Sequence, residues 1–314
     1  MEFVREKAVT YSSWGKRPDE RSVEEALDRS LFVVDKPSGP TSHQLSSWIQ
    51  LIFGRKAGHS GTLDPGVTGV LPFGLGYAVR VVDLLHAAPK KYIAAMRFHG
   101  PVKKKSVEDL VEDFTGEIYQ LPPVRSGVKR QRRVREIYFL EILDFKGRNY
   151  LFRVRCQSGT YIRTLCRDMG RCISRGGHMT ELRRVEAGGF TEENSNPVTT
   201  IRDAWERYKH GDETMLSHFL LPYERALELY PKIIIKDTAA GALLEGADLA
   251  APGVLEMDRF SAGDNISLMS TKGEGIAYGV ALKDATEIVS MERGLVARTE
   301  RVFHPCGEYP RGWK

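Results

Sequence analysis

Leu31-Phe32-Val33-Val34-Asp35-Lys36-Pro37-Ser38-Gly39-Pro40-Thr41-Ser42-His43 is the stretch whose local signals set the fold class. The apolar run Leu31 to Asp35 reads as a buried strand. Lys36 to Pro40 reads as a sharp turn, because proline sets φ and glycine frees it. Thr41-Ser42-His43 opens a helix predicted to run to about Phe53. Residues 54–76, rich in glycine and proline, read as a loop with tight turns, and ordered loops of that length usually carry function. Strands follow over Tyr92–His99, Val134–Leu143 and Tyr150–Cys156, with a hairpin turn region over Glu141–Arg148. A helix is then predicted over Thr160–Ser174, stopped by Gly176-Gly177. Strands and helices in this order, without βαβ regularity, indicate an α+β fold.

Upstream, residues 1–30 are polar, with Tyr11 and Trp14 as isolated aromatic anchors, and Ser22-x-x-Glu25 marks a capping box for one short helix. Being too polar to fold alone, the extension is expected to dock on the C-terminal body. Downstream, a second body begins near Tyr230-Pro231. It opens with a strand over Lys232–Lys236 and a helix capped by Asp237 that ends at Gly246. Short strands between turns at Gly253, Gly263 and Gly273 then indicate a small barrel-like domain.

The chain has 314 residues, which sets an expectation of about two domains. Apolar residues make up 41% and charged residues 28%, ordinary globular usage that excludes a mostly disordered chain. No apolar run approaches the roughly 18 residues of a membrane span. The charged start Met1-Glu2-Phe3-Val4-Arg5-Glu6-Lys7 is not expected to be a secretory signal. Cys156, Cys166, Cys172 and Cys306 form no C-x-x-C pair. Neither a zinc site nor a disulfide framework is expected, and a reducing, cytoplasmic setting is.

Net charge is +5, and its distribution is uneven. Leu121 to Phe190 holds 16 Lys/Arg against 6 Asp/Glu, so the remainder of the chain is net acidic. The densest part runs from Val128 to Arg135. Concentrated charge of this kind, rich in arginine, is the footprint of a polyanion such as nucleic acid.

Several site signatures fail. Residues 54–60 lack the Gly-Lys-Ser/Thr end of a phosphate loop, Gly58-His59-Ser60-Gly61 is no nucleophile elbow, and no H-E-x-x-H occurs. What stands out is Gly58-His59-Ser60-Gly61-Thr62-Leu63-Asp64-Pro65-Gly66-Val67-Thr68-Gly69-Val70-Leu71-Pro72. Asp64 there either bonds its own loop backbone, as Asp-Pro-Gly often does, or serves as a nucleophile on a bound base or sugar. A lone carboxylate does not suit a glycosidase pair.

The loop from Gly58 to Pro72 resembles the catalytic motif of the TruB/dyskerin branch of pseudouridine synthases. Four more stretches are similar to that family's other motifs, in order: Asp35 to His43, Lys91-Tyr92, Gly159-Thr160-Tyr161-Ile162-Arg163, and Met179-Thr180-Glu181-Leu182-Arg183-Arg184. Residues 231–305, with Gly246-Ala247-Asp248-Leu249, resemble a PUA domain, an RNA-binding module. Pro37 to His43, Ser60 to Leu63 and Ser126 to Arg130 resemble archaeal or eukaryotic members, and the absence of lysine-rich tails favours the archaeal ones, which catalyse within H/ACA guide-RNA particles.

The resemblance implies a pseudouridine-synthase fold with a central mixed or antiparallel sheet flanked by helices, plus a small β-barrel-like PUA domain. It divides the chain into an extension (1–30) packed on the PUA domain, a catalytic domain (31–229), a PUA domain (230–306) and a tail (307–314). It implies isomerisation of uridine to pseudouridine in rRNA or tRNA, guided by H/ACA RNA and extending to tRNA uridine-55, with no cofactor and no metal. The partners implied are guide RNA and small protein subunits on the catalytic domain, with no membrane. An RNA-binding scaffold without catalysis is the alternative. Asp64 would be the nucleophile and Arg163 its ion-pair partner, a nearby cation favouring the ionised carboxylate. Tyr92 would stack on the uracil, Lys36 would brace the loop and Leu182 would floor the pocket. His59, Arg125, Lys129, Arg130, Arg132 and Arg133 would bind RNA near the pocket, and Gly246, Ala247, Asp248 and Leu249 would hold the guide RNA's 3′ end.

Overall fold

The computed structural model describes residues 1–7, 13–122, 129, 131–305 and 307–310. Tyr11, Arg125, Arg130 and Cys306, with Ser126, Gly127 and Val128, lie outside the described residues.

The chain opens with β1 (Phe3–Val4), α1 (Val23–Leu27), β2 (Ser30–Lys36) and α2 (Ser42–Phe53). The Ser22/Glu25 capping box starts α1 as expected. In α2, Thr41 accepts from the Gln44 backbone while the Gln44 side chain accepts from the Thr41 backbone, an arrangement worth about 1 kcal/mol. Leu45, Ile49 and Phe53 fall on the buried face of α2, and Gly54 ends it in the left-handed region at φ 62°.

Residues 54–76 are less loop-like than expected. They contain β3 (Ala57–His59) and β4 (Thr68–Leu75), and β4 is buried from Gly69 onward. It lies antiparallel to β2, from Leu31↔Gly74 to Lys36↔Gly69. Its glycines mark close approaches rather than flexibility. A Cβ on Gly69, at φ +105°, would stand 2.1 Å from the Arg184 carbonyl oxygen, and one on Gly74 would stand 2.5 Å from that of Ala78. Residues 54–56 and 60–67 remain as connecting loop.

Next come β5 (Lys90–Phe98), α3 (Lys104–Asp113), β6 (Gly116–Gln120), β7 (Arg133–Lys146), β8 (Asn149–Cys156), α4 (Ile162–Cys172), β9 (Gly177–Ala187) and α5 (Val198–Lys209). The β7–β8 hairpin turns inside the expected region, at Gly147 with φ 61°, although β7 runs on to Lys146, past the Leu143 expected as its end. The large sheet is eleven-stranded, with the central path β2-β4-β9-β5-β8-β7-β6. β4 runs parallel to β9 through Thr68↔Arg183 and Gly69↔Arg184, whereas β9–β5, β5–β8, β8–β7 and β7–β6 are antiparallel. The sheet is therefore mixed, and the fold is α+β. One core lies under α3 and α4, and a second lies between α2, α5 and the β2–β4 pair.

A second, seven-stranded sheet holds Lys232–Ile235, Leu249–Ala250, Val254–Met257, Asn265–Met269, Gly275–Ala281 and Leu295–Val302, with β1 at one edge. The helix Asp237–Leu244 packs on it through Ala239, Ala240, Leu243 and Leu244. Lys236, not Asp237, occupies its N-cap position; Asp237 is already helical. β1 pairs with Val254–Met257, and Trp14 packs against this sheet's core. Glu2 pairs with Arg259, and Lys236 with Glu6. Where the two sheets meet, Arg21 is buried and donates to both Glu224 oxygens at 3.1 and 2.7 Å. Among the described residues, no helix is long and apolar enough to cross a membrane.

Candidate active site

Asp64 lies in the loop between β3 and β4, and the start of α2 and the end of β2 hold that loop in shape. Lys36 is wholly buried, and its ammonium donates to the carbonyls of Pro37 (2.9 Å), Pro65 (3.0 Å) and Val67 (2.8 Å). The Ser42 hydroxyl donates to the Leu63 carbonyl at 3.1 Å and accepts from the Leu63 amide at 2.9 Å. The Gly39 amide donates to the Pro65 carbonyl at 2.9 Å. With the loop backbone held by these groups, the Asp64 side chain points away from it and accepts from Arg163 Nη2.

Arg163 is the second residue of α4, and Asp64 and Arg163 are 57% and 49% exposed. An ion pair this open adds no more than about 1 kcal/mol to stability. Its effect is to aim the carboxylate.

The pair stands at a cavity of about 490 Å³. One wall is Gly61 to Asp64, a second is Tyr161 to Arg163, and the floor comes from neighbouring strands, Lys90 and Tyr92 on β5 and Leu182 and Arg184 on β9. The two-residue strand period puts each of those pairs on one face. Leu182 is half-buried and packs against the core with Met179.

Two of these floor residues are buried cations. Lys90 is buried, donates to the carbonyls of Leu85 (3.2 Å), His86 (2.6 Å) and Ala88 (2.7 Å), and has its pKa pulled by burial to about 8. Arg184 is buried, and Nε donates to the Val70 carbonyl at 2.7 Å. Burial pulls the Arg184 pKa down, and Arg184 stands directly across the β5–β9 pair from Tyr92. Burial pushes the Tyr92 pKa up, so the phenol is protonated at neutral pH. Lys91, beside Tyr92 in the motif, points to the other face and pairs with Glu186. The strand period points to its neighbours instead: two residues back from Tyr92 is Lys90, and two on from Leu182 is Arg184.

His59 does not line the cavity. Nδ1 meets the Ser46 hydroxyl at 2.8 Å and Nε2 meets Thr62 Oγ1 at 3.2 Å. Burial lowers its pKa to about 4, so the ring is neutral at pH 7. Because the folded pKa lies below the unfolded one, the stability tied to neutral His59 is complete above about pH 6.5 and falls away as pH drops toward 4. An NMR titration of the ring should show a midpoint near 4; a midpoint near 6.5 would show that the ring is not enclosed this way.

Lys129, Arg132 and Arg133 are exposed, whereas Arg125 and Arg130 lie outside the described residues. In the second body, Leu249 is buried in the core. Asp248 Oδ1 accepts from the Thr299 amide at 2.8 Å, and the Ala247 carbonyl accepts from the Thr299 hydroxyl at 2.9 Å. Gly246, at φ +94°, faces open space.

The sequence matches the TruB family pseudouridylate synthase N-terminal domain over residues 50–162 and the tRNA pseudouridylate synthase B C-terminal domain over 163–228. It matches a PUA domain over 231–303 and a DKCLD domain over 2–46. A Methanopyrus kandleri protein named "Probable tRNA pseudouridine synthase B" is 44% identical, over 99% of this chain and 93% of that one. The chain belongs to the TruB family of pseudouridine synthases. The Methanothermobacter thermautotrophicus protein of the same name is 42% identical over 98% of this chain and 96% of its own. Among solved structures, Cbf5 in a Cbf5–Nop10–Gar1 complex matches with TM-score 0.93 at 40% identity, covering 98% of this chain and 95% of that one. A chain of an H/ACA RNP bound to a substrate RNA containing 2′-deoxyuridine matches with TM-score 0.92 at 38% identity, covering 99% and 96%. The chain is thus an isomerase of the pseudouridine synthase class, with a PUA domain at its C-terminal end.

Proposed function

We propose that the chain isomerises uridine in RNA at the Asp64 cavity, in the cytoplasm, as the catalytic subunit of an H/ACA guide-RNA particle. The observation that carries this reading is the Asp64–Arg163 pair at the cavity beside Tyr92 and Leu182. Asp64 is the nucleophile and Arg163 aims it. Tyr92 stacks on the uracil over the Leu182 floor, and Lys36 holds the loop. The extension, catalytic domain, PUA domain and tail divide at residues 30, 229 and 306. The likeness to chains solved in H/ACA complexes supports guide RNA and small protein subunits of the Nop10 and Gar1 kind as partners. The names of the relatives favour a second, compatible substrate, tRNA, for which the family resemblance implies uridine-55.

The target uridine must leave its stack to enter such a cavity, at a cost of a few kcal/mol that is least where the base is already unpaired. The N1–C1′ bond then breaks, the base turns, and C5 bonds to C1′. The C5 proton leaves and N1 takes one up, so the product is an isomer and no oxidant or group donor is consumed. Asp64 supplies the nucleophile that bonds one of the separated fragments and is released when C5 bonds to C1′, and the neutral Tyr92 hydroxyl relays the C5 proton, giving up its own as it takes the new one. On this basis Tyr92→Phe keeps the stacking face and slows turnover by about 10²-fold or more, whereas Tyr92→Ala also weakens substrate binding. Equal rates for Tyr92→Phe and the wild type would remove the hydroxyl from the mechanism.

The reading is tested by tritium release from C5-tritiated uridine in RNA, on tRNA alone and on a guided substrate with partner subunits supplied. Release on the guided substrate that depends on guide RNA is expected. Release only on unguided tRNA would make the chain a stand-alone tRNA enzyme. Binding without release on either substrate would make it a scaffold.

A further inference from the structure

We propose that the recess formed by Tyr119, Leu121, Arg132, Arg167, Asp168 and Arg171 is a second RNA subsite, holding the phosphate backbone beside the target uridine while Tyr119 stacks on a neighbouring unpaired base. It rests on the reading of the Asp64 cavity as the synthase site.

Arg163, Arg167 and Arg171 stand four residues apart on α4, so they share one face of the helix. At a rise of about 1.5 Å per residue the row spans about 12 Å. Its first member is the partner of Asp64, so the row leads from the catalytic cavity outward. Arg167 and Arg171 are 40% and 69% exposed.

The end of β6 is pinned at the same place. Gln120 is buried, donates from Nε2 to the Tyr161 carbonyl at 3.1 Å and accepts from the Tyr161 amide at 2.9 Å. With Gln120 turned inward, the strand period turns Tyr119 outward, where it is 76% exposed. Gln120 faces Arg133 across the β6–β7 pair, which brings Arg132 to the same rim.

The recess has a volume of about 440 Å³. Its lining holds one carboxylate, Asp168, which pairs with Arg167 at 3.0 Å and Arg171 at 3.8 Å. Three guanidinium groups against one carboxylate leave the site positive. Arginine forks take phosphate bidentately. A cationic groove with an open aromatic ring is the chemistry that binds single-stranded RNA. An acidic protein segment would meet the charge but would not need the ring, and the α4 arginine row that starts at Arg163 beside Asp64 favours RNA.

The test uses the full chain and a stem-loop RNA carrying an unpaired uridine. Arg167→Ala/Arg171→Ala should lower the slope of log affinity against log salt by about 1.4 to 1.8, the change expected when two phosphates are no longer neutralised. Tyr119→Ala should weaken binding by about 5- to 150-fold, with Tyr119→Phe close to the wild type. The exposed pair Arg202→Ala/Arg207→Ala, on α5, serves as the charge control and should leave the slope unchanged. An equal fall in slope in that control, or unchanged slope and affinity in the α4 and Tyr119 variants, overturns the subsite. The second result would assign the recess to an acidic protein partner instead. A fall in slope in the α4 variant of a chain that shows no release on any substrate would uphold the subsite and defeat the catalytic reading.

Discussion

Asp64→Asn is expected to abolish tritium release from C5-tritiated uridine RNA, slowing the reaction by at least about 10⁴-fold, in line with removal of other enzymatic nucleophiles. The substitution keeps the shape of the side chain and its bond from Arg163 but removes the charge and the nucleophilic lone pair. The carboxylate is more than half exposed, and the groups that hold its loop are Lys36, Ser42 and Gly39. Unfolding free energy should therefore move by no more than about 0.5 kcal/mol, the usual range for an exposed site, and RNA affinity should stay near that of the wild type. A variant that folds, binds RNA and still turns over within tenfold of the wild type would remove Asp64 as the nucleophile. Loss of activity together with loss of fold would show that the side chain supports the loop after all.

Lys36→Met is expected to have the largest effect on stability, a loss of about 3 kcal/mol or more in urea unfolding. The methionine fills the stem's space but leaves the Pro37 and Val67 carbonyls without their donor, while Pro65 keeps only the Gly39 amide. Each buried acceptor left unsatisfied costs about 1 to 3 kcal/mol. Two of the three carbonyls belong to the loop just after Asp64, so the displacement reaches the nucleophile. Turnover should fall even under conditions where the variant is fully folded. Lys36→Arg should not rescue it, because a planar guanidinium cannot replace an ammonium among three convergent carbonyls. A loss below about 0.5 kcal/mol with full turnover would show that Lys36 does not brace the loop.

Much of this architecture is legible in single stretches. The Thr41 cap, the Ser22/Glu25 box and the apolar run of β2 are local signals, and the elements form where those signals stand. Residues 68–75 behave differently. Glycine in a strand ordinarily weakens it, so Gly69 and Gly74 argue for loop when taken alone. They are strand residues here because Arg184 and Ala78 press their backbones against these positions, a fact that belongs to distant segments. That Lys90 is not read as a pocket residue in the sequence has another cause. The motif marks the neighbourhood of Tyr92, but only the strand period says which neighbour shares its face.

Local signals set the α+β class, the position of Asp64 in a glycine- and proline-punctuated loop, the concentration of positive charge between residues 121 and 190, and the family resemblance. These depend on capping, hydrophobic period, turn chemistry and residue identity, all of which act over a few positions of chain. Long-range packing brings Arg163, 99 residues from Asp64, to the carboxylate that the resemblance pairs it with. It also buries Lys90 and Arg184 in the cavity floor and brings Tyr119 and the α4 arginines to one recess. Those arrangements follow from the parallel seam of β4 and β9, the antiparallel seam of β9 and β5, and the seat of α4 on the sheet. Pairing between remote segments is set by mutual burial and register, which no local stretch of sequence contains.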